Sequence, residues 1–171
     1  KGNHWAEYDL AVMMADGTYR PLGEINVGDM VMADDPATGE TTPARVLNTF
    51  RSGNRRVHRI VLWDGGSFEA TSNHMVPMLF DGDEEPSKHP VNELFELILK
   101  FDLALVLSPG GRRRQCAFIE VIGFFHCGDI EVDHPAHCYI TGDDVIVSNS
   151  KSDTCLAEIA SLCTGIIPQS V

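Results

Sequence analysis

No stretch of this chain approaches the roughly 20 uninterrupted apolar residues that a membrane-spanning helix requires. Its opening residues, Lys1-Gly2-Asn3-His4-Trp5, hold no apolar core of a secretion signal. Cys-x-x-Cys pairs are missing as well. The five cysteines (Cys116, Cys127, Cys138, Cys155, Cys163) stand singly and are odd in number, which argues against a disulfide framework and against a zinc ribbon. His126 beside Cys127 lacks further spaced ligands, so no metal is expected there. Positive charge is scarce, with 13 Lys and Arg against 25 Asp and Glu and a net charge of −12. That balance opposes binding to a phosphate backbone. The one compact basic run, Arg112-Arg113-Arg114, follows Pro109-Gly110-Gly111 and reads as a solvated loop. Neither a tandem repeat nor a low-complexity tract is present, which disfavours solenoids and propellers. Together these absences predict a soluble, cytoplasmic protein with reduced thiols, most simply a monomer, that binds neither nucleic acid nor membrane.

The chain has 171 residues, 43% of them hydrophobic, enough for one ordinary domain with a real core. From Asp9 to about Phe80, short β-rich runs alternate with turn signals. The runs are Asp9–Met14, Tyr19–Ile25, Met30–Ala33, Ala44–Phe50, Arg56–Trp63 and Ser67–Ala70. The turns include Ala15-Asp16-Gly17, Val27-Gly28-Asp29, Pro36–Gly39 and Asp64-Gly65-Gly66. Strands and turns at this spacing predict an all-β domain, and Asp64-Gly65-Gly66 is a hairpin signal because a tight reversal needs residues tolerant of positive φ. The middle differs. Asp81–His89 is acidic and polar, and Pro90–Phe101 reads as a short helix with Val91, Leu94, Phe95 and Ile98 on one face, an insertion in the β fold. Strand patterns resume at Cys116–Phe125, Asp129–Val132, Cys138–Thr141 and Asp144–Val147. After Asn149 the character changes again, and Thr154–Cys163 has helical spacing.

Four short motifs occur in one order. The first is Ala11–Gly17 followed by Pro21–Val31. The second is Thr71-Ser72-Asn73-His74, directly after a strand. The third is Gly128-Asp129-Ile130-Glu131-Val132 followed by His134-Pro135-Ala136-His137-Cys138-Tyr139. The fourth is Val145-Ile146-Val147-Ser148-Asn149-Ser150. Alone, each has an ordinary reading: a β-hairpin with a Gly-Asp turn, a structural histidine after a strand, an accidental Asn-Ser pair in a loop. In this order and spacing they resemble the Hint family, which comprises inteins and the autoprocessing domains of hedgehog proteins. The resemblance implies the horseshoe-like Hint fold of short strands and a self-excising segment, Ala6–Asn149, between an upstream flank of residues 1–5 and a downstream flank of residues 150–171. The helical insertion stands where larger inteins hold a homing endonuclease. It is too short to house one, so a mini-intein is implied.

The resemblance also implies roles. The first residue of an intein is usually Cys or Ser, whose side chain attacks the preceding carbonyl and turns an amide into a more reactive ester or thioester. Thr71 and His74 are the candidates around that bond, the hydroxyl orienting it and the imidazole protonating the departing nitrogen. Ser150 offers the hydroxyl that captures the upstream acyl group. Asn149 then attacks its own carbonyl through its side-chain amide, forming a succinimide and releasing the downstream segment, with His137 as proton donor or acceptor and Asp129 tuning the first two steps. No cofactor is implied; the chain acts on its own flanks, once. Two departures matter. Ser148 stands where many inteins have a penultimate His, which leaves more of the Asn149 activation to His137. Neither Cys nor Ser occurs before Thr18, so the initiating position falls on Ala6, which cannot attack. Either an original Cys was replaced by Ala, freezing the precursor, or the downstream nucleophile attacks the junction directly. The weakness of Ser toward an amide favours the first account.

Removing Ala6–Asn149 joins the flanks into Lys-Gly-Asn-His-Trp-Ser-Lys-Ser-Asp-Thr. That string resembles the phosphate-binding loop of large terminase ATPases of tailed phages, with Lys151 and Ser152 as the loop's binding residues after splicing and the Thr154–Cys163 helix following. Lys1 and Ser150 replace two glycines of the pattern. Two rival functions remain open: an autoprocessing domain that cleaves without ligating, and a non-catalytic β-rich binding module. Asn149 followed by Ser150 favours splicing over the first.

Overall fold

The computed structural model describes residues 10–149. Ala6, Ser150, Lys151, Ser152 and the helix expected over Thr154–Cys163 lie outside them. Among the described residues the elements are β1 (Ala11–Met13), β2 (Tyr19–Pro21), β3 (Met30–Asp35), β4 (Glu40–Leu62), β5 (Ser67–Thr71), β6 (Met75–Phe80), β7 (Ser87–Pro90), α1 (Val91–Lys100), β8 (Ala104–Ser108), β9 (Arg112–Val132), β10 (Cys138–Thr141) and β11 (Val145–Ser148). The expected class, all-β with a small helical insertion, is what the chain forms. No helix among these residues is long and apolar enough to cross a membrane.

The strands are hydrogen-bonded in the order β11-β6-β8-β9-β4-β3-β10, and β11 also pairs with β10, so the path returns on itself. Two long strands make this closure possible. β4 runs 23 residues and β9 runs 21, paired antiparallel with register shifts at Val46/Asn48, Arg51/Gly53, Val57/His58 and Val61/Leu62. Each such irregularity bends the strand and increases its twist. The first part of β4 therefore pairs with β3 and the last part with β5. The sequence reading split β4 into Ala44–Phe50 and Arg56–Trp63. The intervening Gly53, at φ +73°, is a bulge in one continuous strand rather than the turn it resembles.

Chain reversals follow the expected chemistry at two glycines. At Gly39 (φ +79°) an added Cβ would meet the Gly111 backbone nitrogen at 3.0 Å, so the turn before β4 and the turn before β9 touch there and leave no space for a side chain. The β4–β5 hairpin turns at Asp64-Gly65-Gly66, where Asp64 Oδ1 accepts from Gly66 N at 2.9 Å. Arg114 closes the same corner: its Nε donates to Asp64 Oδ2 at 2.7 Å and its guanidinium reaches the Asp143 carbonyl. The basic run is thus the start of β9 and not a solvated loop. Arg112 and Arg113 do face solvent, while the Arg114 side chain is only 9% exposed.

The core gathers Val12, Val31, Val46, Ile60, Leu62, Met78, Leu94, Val106, Ile130, Val132 and Tyr139, all at most 2% exposed. Helix α1 contributes Val91 and Leu94, with Leu97 and Ile98 packed at the margin. Phe95, expected on that face, points outward and is 58% exposed, because the helix lies on the β-rich body along a stripe narrower than its apolar surface.

One buried carboxyl sits outside this apolar logic. Asp34, on β3, is fully buried; its Oδ2 accepts from Thr41 Oγ1 at 2.8 Å, and its Oδ1 has no hydrogen-bond partner. Burial holds its pKa above the ordinary carboxylate range. As pH rises past that ordinary range, the unfolded chain gives up this proton and the folded chain retains it, so the unfolded state binds fewer protons and stability falls. Asp34→Asn removes that contribution. The expected result is that the loss of unfolding free energy attributable to this group between pH 4 and pH 7, measured by urea titration, is absent from the variant. Identical slopes would show that Asp34 does not carry the penalty.

Candidate functional site

The Thr71-Ser72-Asn73-His74 segment is a tight turn linking β5 to β6. His74 N donates to the Thr71 carbonyl at 3.1 Å, and Thr71 Oγ1 donates to Asn73 Oδ1 at 3.0 Å. A helix begins with backbone N–H groups that have no partner inside it. Here the first turn of α1 gives two of them to this motif: Val91 N donates to the His74 carbonyl at 3.0 Å and Asn92 N to the Ser72 carbonyl at 2.8 Å. The insertion thereby anchors the turn that carries Thr71 and His74, both of them buried.

Three strands converge on that turn. Asp129, near the end of β9, is 2% exposed, and its Oδ2 lies 3.8 Å from His74 Nδ1. Burial lowers the His74 pKa, and the Asp129 carboxylate works against that shift. Burial thus favours the neutral ring while the nearby anion favours its protonated form, which suits a group that accepts and returns a proton. β11 lies alongside β6 with Ser148 opposite Met75. Continuing that antiparallel register by one residue sets Asn149 across from His74.

The last component arrives from the turn before β10. His137 occupies the left-handed region at φ +56°, uncommon for a residue with a side chain and a conformation that the surrounding structure must impose. The turn is braced on both sides. His137 N donates to the His134 carbonyl at 2.9 Å, and Lys88 Nζ, from β7, donates to the Ala136 carbonyl at 2.7 Å. The His137 carbonyl accepts from Asn149 N at 2.9 Å and from Ser148 Oγ at 3.3 Å. Ser148, which replaces the expected histidine, therefore holds the backbone of the remaining one. Asn149 itself is fully buried, so its carboxamide is shielded from solvent.

Thr71, His74, Asp129, His137 and Asn149 thus come together where β5, β6, β9, β10 and β11 meet. A residue that closes the third motif, but to which the sequence reading gave no role, joins them: Tyr139, fully buried, whose hydroxyl donates to Asp129 Oδ1 at 2.7 Å. The available signal was that a buried tyrosine must find a partner for its hydroxyl. Cys138, between His137 and Tyr139, is buried, its Sγ lying 3.2 Å from the Ala136 carbonyl, and burial pushes its thiol up to about 11. At neutral pH it is an inert packing residue. Among the described residues no group of three or more His, Cys, Asp or Glu side chains is arranged to hold a metal ion.

Solved structures share this fold. The DnaB intein of Synechocystis sp. PCC 6803 matches with a TM-score of 0.67 at 19% identity, covering 84% of this chain and 96% of that one. The fold is that of the inteins. The gp41-1 intein matches with a TM-score of 0.61 at 19% identity, over 84% of this chain and 96% of its own. The Msm DnaB1 intein splicing domain, solved with zinc bound, matches at 0.65 and 18% identity, over 84% and 99%. No family model and no curated protein sequence matches the chain. The likeness to inteins is therefore one of fold, and the chemistry has to be argued from the side chains the fold brings together.

Proposed function

We propose that the chain is a mini-intein precursor whose chemistry is protein splicing: excision of residues 6–149 and joining of residues 1–5 to residues 150–171. The observation that carries this reading is the pairing of β6 with β11 at Met75 and Ser148. Through it a residue able to cyclise, Asn149, is buried across the register from His74, which lies 3.8 Å from Asp129, and its own backbone is tied to His137. A β-rich binding module has no use for such a cluster of buried polar groups, each costly to desolvate.

In this scheme a thiol at position 6 adds to the Trp5 carbonyl. The carbon–nitrogen bond breaks as His74 delivers a proton to the departing nitrogen, leaving a thioester and a free amine. Ser150 Oγ then takes the acyl group and releases the thiol. The Asn149 side-chain nitrogen attacks the Asn149 carbonyl, breaking the bond to Ser150; the succinimide leaves with the intein, and the ester between Trp5 and Ser150 rearranges to a peptide bond. Ala6 supplies no nucleophile, so the chain as it stands is a stalled precursor. The string formed by joining the flanks supports a host ATPase with a phosphate-binding loop, of the large-terminase kind, in which Lys151 and Ser152 would serve the phosphates and their metal.

The test is Ala6→Cys, followed by intact-mass measurement. The expected products are residues 1–5 joined to 150–171, and a separate fragment 6–149 ending in a succinimide. Cleavage without joining would replace splicing with autoprocessing, and an unchanged precursor would overturn both.

A further inference from the structure

We propose that Tyr139 is a positioning residue for the upstream half of the site: by donating to Asp129 Oδ1, its hydroxyl holds the other carboxylate oxygen toward His74. The inference rests on the splicing reading above.

Tyr139 is held firmly. It sits on β10 opposite Ala33 of β3 on one side and Val147 of β11 on the other, and the side chain is fully buried. A phenylalanine would fill the same apolar space, whereas a tyrosine adds a buried hydroxyl, costly unless partnered. That hydroxyl lies 2.7 Å from Asp129 Oδ1. The same oxygen also accepts from Ile130 N at 2.8 Å. Two donors on one oxygen set the plane of the carboxylate and leave Oδ2 on the His74 side, at 3.8 Å. The carboxylate so held is the charge that opposes the effect of burial on His74. β10 thus reaches both halves of the site, through His137 just before its start and Tyr139 within it.

Tyr139→Phe separates positioning from packing. The upstream step is isolated in an Ala6→Cys, Asn149→Ala chain by cleavage with dithiothreitol, and the downstream step by succinimide formation in the Ala6 chain. Loss of a hydrogen bond to a charged group predicts a fall of about 10- to 100-fold in thiol-induced cleavage, with the alkaline limb of its pH profile moved to lower pH. Downstream release is expected to change by less than about 3-fold. Equal slowing of both steps with an unmoved pH profile would overturn the proposal, as would an unaffected upstream step. A readout that needs no splicing is the titration of the His74 ring, followed by NMR in the chain as it stands. Tyr139→Phe should lower its midpoint, and an unchanged midpoint would overturn the proposal even where both cleavage rates fall. Failure of the splicing reading shows separately, as absence of thiol-induced cleavage when Tyr139 is intact.

Discussion

Asn149→Ala in the Ala6→Cys chain is expected to stop release of the downstream flank altogether, a loss of at least about 10³-fold in that step. Cyclisation is intramolecular, and its speed depends on holding the carboxamide nitrogen near the Asn149 carbonyl. The backbone that carries the side chain is fixed: Asn149 is fully buried, its backbone nitrogen donates to the His137 carbonyl at 2.9 Å, and the preceding Ser148 hydroxyl donates to the same carbonyl at 3.3 Å. Alanine retains the fold and removes the only group that can form the succinimide. Mass measurement should then find upstream-cleaved or branched species in place of the joined flanks. Continued formation of joined flanks would remove Asn149 from the mechanism.

His74→Ala should act on the other junction. In the Ala6→Cys, Asn149→Ala chain, thiol-induced cleavage is expected to fall by about 10²- to 10⁴-fold, the range set by losing a positioned proton donor. His74 is 3% exposed, so no bulk water stands ready to replace the ring. Because the His74 carbonyl and nitrogen, rather than its ring, bind α1 and Thr71, the turn should survive the substitution, and circular dichroism and an NMR fingerprint can verify this. Retention of normal cleavage would refute His74 as the proton carrier. Substitution of Asp129 by Asn should produce a smaller loss in the same step, since it leaves the ring in place and removes only its counter-charge.

Two of the strands that the sequence reading did not pick out show where local signals end. β7, Ser87-Lys88-His89-Pro90, is polar and pairs only along β6; nothing in its composition separates an edge strand from a loop, and its Pro90 suits an edge. β8, Ala104–Ser108, is a short apolar run between β6 and β9, too brief for any periodicity to distinguish strand from helix. β4 is the opposite case. Arg51-Ser52-Gly53-Asn54-Arg55 looks like a turn, and only pairing with β9 on the far side keeps it extended.

The motifs that carry Thr71, His74, Asp129, His137 and Asn149 could be picked out because motif order along a chain is a sequence property. Their residue types, and the alanine at position 6, are read from the sequence alone. Likewise, the sparse cationic residues, the alternation of short strands with Gly and Asp turns, and the helical insertion were all encoded locally. The meeting of these residues was not. His74 and Asp129 are separated by most of the chain's middle, and what joins them is the closure of the strand path, set by bulges in β4 and β9 whose positions depend on long-range pairing. The carbonyl of His137 gripped by Ser148 and Asn149, the hydroxyl of Tyr139 on Asp129, and the helix N-terminus seated on the Thr71–His74 turn belong to that same level. Each is a hydrogen bond between groups remote in sequence, and only the packed sheet decides which donors and acceptors are left facing one another.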